Sequence, residues 1–218
     1  MTQNHRNYQK EMEKIVEGLQ GKRKSLLLHS CCAPCSSAVL EKLQEVFEIT
    51  VFFYNPNISE KEEYQKRVEE QKRLIEALNQ KLPNYPIKVV EGEYEPERFY
   101  EITRGLEKCP EGGERCFKCY GLRLEKTAQL ARKEKFDFFT TTLTISPLKN
   151  AGKLNELGEV MAEKYRTAFL PSDFKKKEGY KRSIELSKEY DLYRQNFCGC
   201  AFSKAESLKR EKANQELS

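Results

Sequence analysis

Leu26-Leu27-Leu28-His29-Ser30-Cys31-Cys32-Ala33-Pro34-Cys35 joins a short apolar run to three thiols. Leu26 to His29 has the length and composition of a buried strand. Cys31 and Cys32 follow it directly. They would point to opposite sides of an extended chain, but a turn brings both into one site. Cys35 falls in the first turn of the helix expected next, where the helix dipole lowers a thiol pKa below about 8.5.

Four more stretches of β-branched and aromatic residues read as strands: Ile49 to Tyr54, Ile87 to Val90, Phe136 to Leu143 and Thr167 to Leu170. Helical patterns lie between them. Ser59-x-x-Glu62 predicts a capping box opening a helix with Tyr64, Val68, Ile75 and Leu78 on its apolar face. A second helix is predicted over Phe117 to Lys133, with Leu122, Ala128, Leu130 and Ala131 inward, and a third from Asn150 to Lys164. Strand–helix alternation predicts an α/β fold, a doubly wound parallel sheet covered on both faces. Ligands in such folds bind beyond the carboxyl ends of the strands, where the strand order reverses. Cys31, Cys32 and Cys35 lie past the first strand, and Thr144-Ile145-Ser146-Pro147 past the fourth. Both flank one crevice if the order reverses there. The first turn carries cysteines where a nucleotide-binding relative of this architecture places glycines. With no G-x-x-x-x-G-K-[ST] or G-x-G-x-x-G motif, a nucleotide is not favoured.

No repeat or linker divides the 218 residues. One domain is expected, 1–218, with a core at about 22–203, a polar N-terminal helix and a polar C-terminal tail from Ser203 that is helical or loose. The chain is 38% hydrophobic and 33% charged, and no apolar run approaches a membrane span. Met1-Thr2-Gln3-Asn4-His5-Arg6 shows no apolar run of a secretory signal, so eight cysteines point to a reducing cytoplasmic setting and to metal or redox chemistry. A net charge of +5 permits a polyanionic partner such as RNA and is equally explained by a solvated Lys/Glu-rich surface.

Two further thiol groups accompany the first. Cys116 and Cys119, at i and i+3, share a face at a helix start. In Cys198-Gly199-Cys200 the glycine lets the backbone bend so both side chains turn toward one ligand. Two thiolates about 4 Å apart repel by roughly 4 kcal/mol at an effective dielectric near 20, so such groups protonate, oxidise or bind metal. Cys31, Cys32, Cys35, Cys116, Cys119, Cys198 and Cys200 exceed one tetrahedral zinc and suffice for a four-iron cluster plus another metal. Zinc and buried unligated thiols stay open as alternatives. Cys109, alone before Pro110, reads as an ordinary free thiol.

Several motifs together resemble one family. They are His29-Ser30-Cys31-Cys32-Ala33-Pro34, Tyr54-Asn55-Pro56-Asn57-Ile58, Glu111-Gly112-Gly113-x-Arg115-Cys116-x-x-Cys119, Thr141-Thr142-Leu143-Thr144-Ile145-Ser146-Pro147-x-Lys149, Asp173-Phe174-Lys175-Lys176 and Tyr193-Arg194-Gln195-x-x-Cys198-Gly199-Cys200. In this order, over about residues 25 to 203, the set resembles the QueH family of non-cobalamin epoxyqueuosine reductases. Each piece alone is weak; the ordered set is specific. The resemblance implies two-electron reduction of epoxyqueuosine to queuosine at the tRNA wobble position, the last step of queuosine synthesis. It also implies a sandwich similar to the adenine nucleotide alpha-hydrolase (HUP-type) fold, with metal ligands in place of the nucleotide loop. A [4Fe-4S] cluster and a nearby separate iron are implied too. Cys31, Cys32, Cys116, Cys119, Cys198 and Cys200 match the family's cysteines. Many members carry Asp where this chain has Cys35, and that carboxylate helps hold the single iron. A thiolate there gives a softer site of the same charge. Sequence does not divide the cysteines between cluster and iron.

The chemistry needs electrons from an unidentified donor and an acid for the departing oxygen. Tyr193, Asp173 and Lys149 are the candidates, in that order, each inside a matching segment; a satisfied tyrosine hydroxyl and a turn-capping aspartate are the plainer readings. For tRNA, Lys175, Lys176, Lys177, Tyr180, Lys181 and Arg182 form the best basic stretch with an aromatic, or else a solvated helix face. Two other classes compete: another iron–sulfur enzyme on the same fold, such as a sulfonucleotide reductase or tRNA thiolase, and a zinc-stapled RNA-binding module. A thiolase needs a Ser-Gly-Gly-x-Asp-Ser loop, which is absent.

Overall fold

The computed structural model describes residues 6–216. The expectations for Met1–His5 fall outside them. Five strands form one sheet: β1 (Lys24–His29), β2 (Phe47–Phe53), β3 (Lys88–Glu91), β4 (Phe138–Thr141) and β5 (Ala168–Phe169). The order is β3-β2-β1-β4-β5, and every pair is parallel. Successive connections run outward from β1 to one edge, then return to its other side. The order therefore reverses between β1 and β4, where Leu28 pairs with Val51 on one flank and Thr140 on the other.

Because side chains alternate across a strand, Leu26 and Leu28 enter one core while Leu27 enters another. Leu26, Leu28, Ile49 and Val51 pack against α1 (Tyr8–Gly18), α2 (Ala33–Leu43), α3 (Lys61–Lys81) and α7 (Gly179–Glu189), through residues such as Met12, Leu40, Leu74 and Leu186. Leu27 and Phe139 pack against α5 (Glu114–Lys133) and α6 (Ala151–Tyr165), through Leu124, Ala128 and Leu154. Both faces are covered, as an all-parallel sheet requires. The short α4 (Pro96–Thr103) and α8 (Ala201–Glu216) complete the fold near the carboxyl ends of the strands. None of the described helices is long and apolar enough to cross a membrane.

Two local expectations change. The fourth strand stops at Thr141, because the Thr141 hydroxyl accepts the Leu143 N–H at 3.2 Å and residues Thr142–Ile145 curl into a 3-10 turn. The capping box does not form. Helix α3 begins after Glu60 without a side-chain cap, and Ser59 Oγ instead accepts the Ala201 N–H at 2.7 Å, the first residue of α8. Of the two readings left open for the segment after Ser203, the helix is the one realised, through Glu216.

Candidate metal centre

The crevice at the strand-order reversal is built from the end of β1 outward. His29 is fully buried, between Thr141 Oγ1 at 2.9 Å from Nδ1 and the Tyr54 carbonyl at 3.1 Å from Nε2. A carbonyl only accepts, so Nε2 carries the proton and Nδ1 accepts from the threonine hydroxyl. Burial pushes the imidazole pKa down to about 3. Ser30 and Ser36 both donate to Gln71 Oε1, at 2.6 and 3.0 Å, and Asn55 Nδ2 donates to the Ser30 carbonyl at 2.9 Å. These bonds pin the turn between β1 and α2 to α3 and to the loop after β2.

That turn gathers Cys31, Cys32 and Cys35, whose sulfurs lie within 4.8 Å of one another. The Cys31 and Cys32 sulfurs are 3.8 Å apart. Hydrogen bonds from Cys32 and Cys35 hold the Cys31 thiol well below its ordinary value. Donating to Cys31 in turn pushes Cys32 up to about 12 and raises Cys35. The expected lowering at Cys35 does not occur, since its neighbours' sulfurs outweigh the helix dipole.

A second set lies beside the first. Cys116 and Cys119 project from the first turns of α5, and Cys198 and Cys200 come from the bend before α8. All four line one small cavity with Phe99, Tyr120, Asn57, Arg115 and Arg123. The bend depends on Gly199, whose φ of +118° is reserved for glycine. Gly112 N–H points at Cys116 Sγ (3.2 Å) and Ser203 N–H at Cys200 Sγ (3.4 Å). Burial pushes the Cys119 thiol up to about 12 and Cys200 to about 11, so these thiolates need nearby positive charge. Arg115 and Arg123 are each 1% exposed, and both keep a buried N–H without a partner, Nε and Nη2 respectively. Cys198 lines this cavity and also the larger cleft, of about 150 Å³, that holds Cys31, Cys32 and Cys35. The seven sulfurs thus form one crevice in two groups. Cys31, Cys32 and Cys35 stay together, as they stand in sequence, and the division that the sequence left open sets them apart from the other four. Cys109 lines neither cavity; its carbonyl accepts from Arg115.

Among the three acid candidates, only Lys149 lines the cleft. Burial opposes its charge, but Cys198, Cys31 and Cys35 prevail and hold the ammonium above its ordinary pKa. Tyr193 instead bonds Glu63 Oε2 through its hydroxyl at 3.1 Å, under the Lys66 ammonium. Asp173 pairs with Lys175 at 2.8 Å, and its carbonyl accepts the Lys176 N–H in a turn. The basic stretch is also committed elsewhere. Lys177 pairs with Glu13, Lys181 with Glu178 at 3.4 Å, and Arg182 with Glu41 at 2.7 Å.

Arg67 was not singled out from sequence. It is 2% exposed, pairs with Glu63 at 2.7 Å and donates to the Cys198 carbonyl at 3.1 Å. The available signal was a charge at i+3 from Tyr64, on the inward stripe of α3. Arg123, four residues after Cys119, carried the same signal.

A family model described as epoxyqueuosine reductase QueH matches residues 26–206. Proteins named epoxyqueuosine reductase QueH from three bacteria align over most of the chain. The Staphylococcus epidermidis protein is 43% identical, covering 90% of this chain and 84% of its own. The Streptococcus pyogenes protein is 44% identical, over 90% and 78%. The Thermotoga maritima protein is 38% identical, over 89% and 96%.

Proposed function

Because this chain belongs to the epoxyqueuosine reductase QueH family, we propose that it reduces epoxyqueuosine to queuosine in tRNA, with a [4Fe-4S] cluster and an adjacent iron as its cofactors. The observation that carries this reading is the division of seven sulfurs at the strand-order reversal into a group of three and a group of four that meet at Cys198. The donor sets fit the two groups. Cys116, Cys119, Cys198 and Cys200 supply the four thiolates of a cubane cluster, and the unpartnered N–H groups of Arg115 and Arg123 in the same cavity suit its negative charge. Cys31, Cys32 and Cys35 supply three close sulfurs for one metal ion and leave coordination open toward the cleft. When bound, the cluster supplies single electrons and the iron supplies Lewis acidity toward an epoxide oxygen.

The reaction consumes two electrons and two protons: both epoxide C–O bonds break, a C=C bond forms and the oxygen leaves as water. Lys149 Nζ, charged and facing the same cleft as the three sulfurs, donates a proton to the departing oxygen. Thr142 Oγ1 accepts the Cys31 N–H at 3.4 Å and so fixes the turn presenting that thiolate. Tyr193 and Glu63 act at a remove. The Tyr193 hydroxyl donates to Glu63, Glu63 pairs with the guanidinium of Arg67, and Arg67 donates to the Cys198 carbonyl.

The test is anaerobic reconstitution with iron and sulfide, followed by a reductant-driven assay on tRNA bearing epoxyqueuosine. Queuosine in the digested tRNA, formed by a brown protein, is the expected result. A colourless, zinc-loaded protein that binds tRNA without converting it would overturn the proposal.

A further inference from the structure

The basic side chains divide into two kinds. Those of residues 175–182 are ion-paired within the chain. Around the sulfur cleft Arg67 is paired with Glu63, but Lys149, Arg194 and Arg210 line it with no carboxylate partner among the described residues, and Arg194 is bonded only to the Ser187 hydroxyl, at 3.1 Å. A single carboxylate, Glu111, shares the lining with them. A cation already neutralised by a neighbour releases little on meeting a phosphate; a free one at a cleft mouth gains a full charge-assisted contact.

Two other features sit in the same wall. Of the six large hydrophobic side chains left exposed among the described residues, Leu148 and Tyr180 both line this cleft. Gln195, also in the lining, keeps its side-chain oxygen buried and without a hydrogen-bond donor. A buried unsatisfied acceptor costs free energy unless something fills it. A donor entering the cleft would do so.

We infer that Arg194, Gln195 and Arg210, with Tyr180, form the lining that grips a single nucleotide everted from an RNA loop. Arg194 and Arg210 take the flanking phosphates, Tyr180 stacks on the base, and Gln195 accepts a hydrogen bond from a hydroxyl or ring N–H of the nucleoside. Eversion follows from depth, since the three sulfurs lie inside a cleft and a base stacked within a loop does not reach them. The inference rests on the reductase reading for the identity of the RNA.

The test measures binding by metal-loaded protein of a labelled synthetic anticodon stem–loop with guanosine at the wobble position, and of the same hairpin abasic there, across a salt series. Arg194→Ala and Arg210→Ala should each weaken binding by roughly fivefold or more and lower the slope of log affinity against log salt by about 0.7. Lys177→Ala and Lys181→Ala should stay within about twofold of the parent. Gln195→Ala should bind both hairpins nearly alike, having lost the preference for the one with a base. All variants are first matched to the parent in unfolding midpoint. Unchanged slopes for the two arginine variants, an equal loss at Lys177, or an undiminished preference in Gln195→Ala would overturn the inference. Hairpin affinity is read without turnover. Normal reduction with unaltered variant binding would sink this inference alone, and tight hairpin binding without reduction would sink the reductase reading alone.

Discussion

Arg67 on α3 donates through Nη1 to the main-chain carbonyl of Cys198, 131 residues later in the chain, at 3.1 Å. Its Nη2 reaches the Phe197 carbonyl at 3.4 Å, and its charge is met by Glu63 at 2.7 Å. This buried guanidinium therefore helps to hold a bend that joins no strand, together with Asn57, whose amide donates to the same Cys198 carbonyl, and Ser59, whose N–H donates to the Gly199 carbonyl.

Arg67→Met should cost roughly 3–5 kcal/mol, because Glu63 is left as an unmatched, largely buried charge, the Phe197 carbonyl loses its donor and the Cys198 carbonyl keeps only Asn57. Denaturant unfolding measures this. Iron content should fall with it, and the double variant Arg67→Met/Glu63→Gln should recover part of the stability without the iron. Full stability in the single variant would show that the loop holds itself.

Gly199→Ala tests the bend. A Cβ at that position would stand 2.9 Å from the Ile58 side chain and 3.2 Å from Arg67 Nη1, on a backbone with φ of +118°. Strain of order 1–3 kcal/mol is expected, together with reduced cluster loading read from visible absorption. Gly121→Ala, where a Cβ meets nothing within 4 Å, is the control and should be neutral to slightly stabilising.

The division of the sulfurs predicts separable losses. Cys119→Ala should abolish the broad cluster absorption near the visible, whereas Cys35→Ala should keep it and lose only the additional iron. Cys35→Asp should retain that iron, since a carboxylate preserves the charge with harder donor chemistry. Loss of cluster colour in Cys35→Ala would contradict the grouping.

Glu70 gives a pH dependence. Hydrogen bonding to Arg73 at 2.8 Å, with a further bond from the Tyr193 N–H at 2.7 Å, holds its carboxyl below the usual glutamate value. A depressed carboxyl binds fewer protons folded than unfolded. Its contribution is complete above the ordinary value near 4.3 and disappears as pH falls through the lower folded value. Glu70→Gln should lose about 1–2 kcal/mol at pH 7 and progressively less below about pH 4 in urea titrations. An equal loss at pH 7 and pH 3 would exclude this linkage.

Much of this architecture was readable from residue patterns. The strand positions follow from local composition, whereas a shared crevice beyond β1 and β4 was legible only on the condition that the strand order reverse there, which the fold supplies. What escaped depends on groups distant in sequence. Nothing near Lys177 or Arg182 announces that Glu13 of α1 and Glu41 of α2 lie against them. Tyr193 sits five residues before Cys198, yet the intervening turn directs its hydroxyl to Glu63, away from the cleft. Ser59 matched a capping motif, but the start of α8 took its oxygen. The grouping of the cysteines needed the fold itself, since Cys32 and Cys119 look alike until their neighbours are known.

The Cys198-Gly199-Cys200 bend also bears on synthesis of the protein. Half of the four-sulfur group is made well after the other half, so the cavity it shares with Cys116 and Cys119 cannot close until the stretch through Cys200 has left the ribosome. A nascent chain halted before Cys198 lacks half the thiols of that cavity, however completely the sheet behind it has folded.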